Sequence, residues 1–114
     1  MMKKIITVID HMVIDLGFVG DDRCTLVRFP ISTIISRYGD GGTFDLLVRS
    51  PGSDTAHSVE VVRDWKHVEW VVSIDELTDC GNGEAELVYK DNTGKTHRKI
   101  WKTTINRSIV KKSN

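Results

Sequence analysis

A chain of 114 residues suits one domain and leaves little room for a second. Its hydrophobic content of 39% is enough for a thin β-sandwich core, and its 16 basic residues balance 16 acidic ones, so the formal net charge is zero. That balance argues against long-range steering onto nucleic acid or an anionic membrane, and no apolar stretch approaches the roughly 20 residues that span a bilayer.

In chain order, Lys4 to Ile9 reads as a first strand. Asp10 and His11 break its apolar run and no small-residue cleavage site follows, which sets a signal peptide aside. Met12 to Leu16 is a second extended piece, ended by turn signals at Gly17 and Gly20-Asp21-Asp22. Cys24 to Phe29 is the next strand, with Thr25, Val27 and Phe29 on one face, and Pro30 ends it. Ile31, Ile34, Ile35 and Tyr38 recur at helical spacing behind Ser32, a candidate cap. A short helical plug over one open end of a sandwich is expected there, stopped by Gly39-Asp40-Gly41-Gly42. Thr43 to Arg49 alternates, with Phe44, Leu46 and Val48 inward and Leu47 outward.

After a turn at Ser50–Asp54, Val59 to Arg63 and His67 to Val72 read as a hairpin around Asp64-Trp65-Lys66. Tryptophan is unusual at a tip, where Asn, Asp and Gly are favoured. Ser73 to Asp79 is expected to hold a helical turn, and Gly81 and Gly83 to frame another turn. Ala85, Leu87 and Tyr89 then oppose Glu84, Glu86 and Lys90. Asp91-Asn92-Thr93-Gly94 signals a hairpin into a last strand from Thr96 to Ile105, with Trp101, Thr103 and Ile105 on one face. Residues 110–114 are expected to fray. Six to eight short strands with frequent turns predict one all-β domain over 1–114, an immunoglobulin-like antiparallel β-sandwich with one or two short helical turns. Phe29, Phe44, Trp70, Leu87 and Trp101 are its expected core.

Chemistry is sparse. His11, His57, His67 and His97 fall in no tight ligand motif, and Asp10 and His11, as strand neighbours, would face opposite ways. Cys80 lies beside Asp79 and Glu84, which oppose thiolate formation. Cys24 and Cys80 read as separate thiols rather than a disulfide. Gly39–Gly42 lacks the Lys-Ser/Thr of a phosphate loop, and no nucleophile elbow is present. No enzyme, metal or cofactor is therefore expected. An acidic stretch from Asp75 to Glu86 and a basic one from Arg98 to Lys112 read as solvated faces or, more sharply, as unlike patches meeting between subunits. Leu47, Val62, Val71 and Val88 fall on outward faces and Trp65 on a tip, which makes these five the candidate interface.

From about Val13 to Ile109 the chain resembles the amino-terminal β-sandwich module of tail and baseplate proteins from siphophages and prophages of Gram-positive bacteria. The resemblance rests on Ile14-Asp15-Leu16-Gly17, Phe29-Pro30-Ile31-Ser32, the run Tyr38 to Phe44, and Val68-Glu69-Trp70-Val71-Val72. It continues through Gly81 to Tyr89 and Lys99 to Ile109. It implies a non-enzymatic part of the virion tail, made in the bacterial cytoplasm, that attaches a fibre or neighbouring subunit. It also implies tail or baseplate partners and a trimeric or six-fold assembly, with no nucleic acid and no membrane insertion. Two departures stand out. Asp64-Trp65 replaces the usual Asp-Gly type of tip, and no receptor-binding region follows, as in a fragment or a stand-alone adaptor. A carbohydrate-binding module for host-surface recognition, using Trp65, is the alternative. A regulatory or enzyme-associated β-domain is a third reading with no positive feature behind it.

Overall fold

The structure, a computed structural model, describes residues 3–107. The expected frayed end, 110–114, lies outside them, as do Ser108 and Ile109 of the resemblance. The described residues form an all-β sandwich of two sheets. One has the order β1 (Lys4–Thr7), β3 (Thr25–Pro30), β7 (His67–Val71), β6 (Val62–Arg63). The other has the order β2 (Val13–Phe18), β9 (Thr96–Asn106), β8 (Gly81–Lys90), β4 (Thr43–Arg49), β5 (His57–Val59). A helix, α1 (Ser32–Tyr38), and a 3-10 turn (Ile74–Glu76) complete the elements.

The inner faces follow from alternation. Val27 and Phe29 of β3, Val68 and Trp70 of β7, Leu46 and Val48 of β4, Ala85, Leu87 and Tyr89 of β8, and Trp101 and Ile105 of β9 are all buried. The Phe29 and Trp101 rings meet across the sandwich at 5.1 Å between centroids, and the Trp101 indole N–H donates to the Ile9 carbonyl at 3.0 Å. Phe44, expected in the core, is only partly buried. It packs against the Tyr89 ring, with the Arg63 guanidinium 5.1 Å from its ring centroid.

Several local expectations are corrected. The sandwich is not wholly antiparallel: β1 pairs in parallel with β3, and β2 in parallel with β9. The turn after β1 reverses the chain and carries it to the opposite sheet, so each strand settles beside one running its own way. A Lys4–Asp15 ion pair at 3.7 Å links the two. Gly17 lies within β2 at a register shift, its N–H donating to Asp15 Oδ1 at 3.0 Å. Ser32 makes no capping hydrogen bond. Ile31 holds the cap position, because its side chain is fully buried and fixes the helix start. The Val59–Arg63 strand is really two pieces in different sheets, β5 and β6, separated by a crossover at Glu60 and Val61. Gly81 and Gly83 open β8 instead of framing a turn. A Cβ on Gly83 would collide with the Arg49 carbonyl, so only glycine lets the β4 backbone come this close.

The helix sits over one end of the sandwich, as the spacing predicted. Gly39 ends it at φ 86°. The Tyr89 hydroxyl donates to the Gly39 carbonyl and accepts from the Gly42 N–H, which fastens the helix exit to the β8 end. Tyr38 stacks on His97 with ring centroids 3.6 Å apart.

Candidate docking surfaces

Register places the outward residues in rows. On the four-stranded sheet, Ile5, Leu26 and Val71 lie directly across three strands, and the next row runs Thr7, Arg28, Glu69, Val62. Ile5 is 54% exposed, Val62 73% and Val71 37%, while Leu26 is half-buried. An Arg28–Glu69 ion pair at 2.5 Å stands between the two apolar sets. The result is an outer face with one apolar row and an exposed valine beyond the ion pair, which no described element covers.

The five-stranded sheet has a different outer face. Val13, Lys102, Glu84 and Arg49 form one row, and Ile100, Glu86, Leu47 and Ser58 the next. Arg49 holds Glu84 at 3.0 Å and Arg98 holds Glu86 at 3.1 Å. The carboxyl-terminal part of the acidic stretch is thus paired inside the chain, because antiparallel pairing sets β8 between β4, which supplies Arg49, and β9, which supplies Arg98. Leu47 and Val88 lie on this sheet and are half-buried among these charges. The five interface candidates therefore do not converge. Val62 and Val71 share the apolar face, Leu47 and Val88 sit on the opposite one, and Trp65 stands at an end. Ile5 and Leu26 were missed, because Lys4-Ile5-Ile6-Thr7 and Thr25-Leu26-Val27 carry apolar residues on both faces and show no polar side.

Trp65 is 72% exposed at the β6–β7 tip, with Lys66 Nζ 4.5 Å from its ring centroid. Asp64 makes this tip possible without glycine. Its Oδ1 accepts the backbone N–H groups of Lys66 and His67, each at 2.7 Å, and these bonds hold its carboxyl below the usual range.

The remaining chemical candidates are spread apart. Asp10 and His11 lie in the turn after β1, which ends at Thr7, two residues before the expected limit. Lys99 holds Asp10 at 2.7 Å, and hydrogen bonding and charge from that lysine depress its pKa. Cys24 and Cys80 form no disulfide with one another. Among the described residues no three His, Cys, Asp or Glu side chains are grouped to hold a metal ion, and no helix is long and apolar enough to cross a membrane.

A cleft of about 370 Å³ between α1 and the β8–β9 hairpin is lined by Ile34, Arg37, Tyr38, Leu87, His97 and Lys99, among others. A broader groove of about 680 Å³ lies where the chain crosses from β5 to β6, lined by Val59, Val61, Val62, Trp70 and Val71 with charged lips. No protein-family model matches this chain, and no curated protein matches it.

Proposed function

We propose that this chain is a non-enzymatic docking module that joins a fibre or neighbouring subunit to a phage or prophage tail or baseplate. The observation that carries the docking part is the uncovered outer face of the four-stranded sheet, where Ile5, Leu26 and Val71 lie in register and the exposed Val62 stands in the next row. Exposed apolar residues in contiguous rows mark surface meant for a partner, whereas scattered single ones do not. The tail setting is supported by the sequence resemblance that spans most of the chain.

The test is co-expression with the products of the flanking genes, followed by light scattering on the purified material. The expected result is a defined complex with a tail or baseplate protein, weakened at least about tenfold by Ile5→Asp with Val62→Asp, since charge at an interface centre is strongly disfavoured. Absence of any such complex overturns the reading. Selective glycan binding abolished by Trp65→Ala replaces it with the carbohydrate-binding alternative.

A further inference from the structure

Strand β6 is shorter than the strand it pairs with. Its two residues face β7 at Val62–Glu69 and Arg63–Val68. Before Val62 the chain departs for the other sheet, while β7 runs on to Val71. The direction of the β7 backbone groups is fixed by its neighbours. Val72 N–H donates to the Thr25 carbonyl on β3 at 3.0 Å, and the Asp64 N–H donates to the His67 carbonyl on the β6 side. Alternation then turns the N–H and C=O of Val71 toward the β6 side, where Glu60 would have met them had β6 continued. Among the described residues no backbone group takes that place.

The groove of about 680 Å³ opens at this gap. Val59, Val61 and Val62 give it an apolar wall. Its lips are charged unequally. Glu69 is held by Arg28 and Glu76 by His57, at 2.5 and 2.6 Å. Lys3 and Arg23 make no ion pair among the described residues, and both flank the end beyond Val71. Glu60, on the crossover, is exposed. The edges of the five-stranded sheet offer less. On β2 the N–H groups of Gly17 and Phe18 are taken by Asp15 and Asp21 carboxylates at a bulge, and β5 has three residues.

We propose that this groove is a strand-acceptor site. An extended segment of a partner protein, apolar at alternate residues and acidic at the end that meets Lys3 and Arg23, pairs with Val71 and completes the row that β6 leaves short. Main-chain hydrogen bonds hold the segment, the valine wall selects its alternate side chains, and the two cations set its direction. The proposal rests on the docking reading and names the kind of partner segment.

The test titrates the ¹⁵N-labelled chain with a capped hexapeptide of alternating valine and threonine that ends in two aspartates. Saturable amide shifts at Val71, Val62 and Arg23 are expected, with exchange at the Val71 amide slowed about tenfold or more. The same peptide methylated on its backbone nitrogens should leave these amides unmoved. A version ending in two lysines should bind more weakly to the natural chain and more tightly to the Lys3→Glu, Arg23→Glu variant. Silence at Val71 up to millimolar peptide, or equal shifts with the methylated peptide, overturns the proposal. If the complex with a tail protein forms all the same, the groove assignment falls and the docking reading stands.

Discussion

The three tryptophans show how burial, not residue type, sets the role of a side chain. Trp70 is 2% exposed and Trp65 72%. Trp70→Ala is expected to cost about 3–5 kcal/mol in chemical denaturation, and Trp65→Ala within about 0.5 kcal/mol of nothing. Equal losses would mean that Trp70 does not face the core or that Trp65 is not free of packing at its tip. Asp91 makes a second prediction at this scale. The Thr93 hydroxyl and then His97 donate to its carboxylate, with the N–H groups of Thr93 and Lys95 adding to them, and together they hold its pKa far below the ordinary 3.8. Burial opposes that shift and is outweighed. Because the folded value is depressed, the unfolded chain takes up the proton first. The stabilisation is complete above 3.8 and is lost as pH falls below it toward the folded value. Thermal melts should therefore show Asp91→Asn melting lower than the natural chain at neutral pH, with the gap closing in strong acid. A gap that is constant with pH would exclude this linkage.

Elements were legible where one face is apolar and the other polar. Thr43–Arg49 and Glu84–Lys90 alternate, and both strands form at those residues. The helix over Ile31–Tyr38 was legible for the same reason, at a period of 3.6 instead of 2. The split of Val59–Arg63 was not legible, because a strand that changes sheets keeps its extended backbone and leaves no break in the pattern. Nor were the parallel edges, since alternation is blind to the direction of a neighbour. The candidate groove is formed by the early end of β6, and no residue pattern records where a strand stops pairing. Its backbone consequence can be measured. The amides of Trp70 and Val72 point to β3, and that of Val71 to the open side. Hydrogen exchange in the free chain should be faster at Val71 than at either neighbour, by about tenfold or more. Equal protection at all three would place another element over this edge. At the other end, Tyr89→Phe removes both hydroxyl bonds to Gly39 and Gly42. It is expected to cost about 1–3 kcal/mol by thermal or chemical denaturation, with added exchange at the helix exit.

For the whole molecule, the uncovered apolar face predicts weak self-association when no partner is present. The apparent mass in light scattering should rise with concentration and change little between low and moderate salt, because screening acts on charges and not on apolar contact. Ile5→Asp should return the chain to a monomer. A mass that rises only at low salt would locate the contact on the charged face of the five-stranded sheet. The parallel placement of β2 beside β9 also carries a consequence in time. The Gly17 carbonyl accepts from Asn106, 89 positions further along the chain, and Ile14 and Leu16, both buried in the finished sandwich, have no sheet to join until β9 exists. On the ribosome β2 emerges before β9 and waits, with its apolar face exposed, until the segment between them has been made. The bulge at Gly17 and the aspartates that occupy the N–H groups of Gly17 and Phe18 then act before the fold is complete, making the waiting strand a poor template for a neighbouring nascent chain.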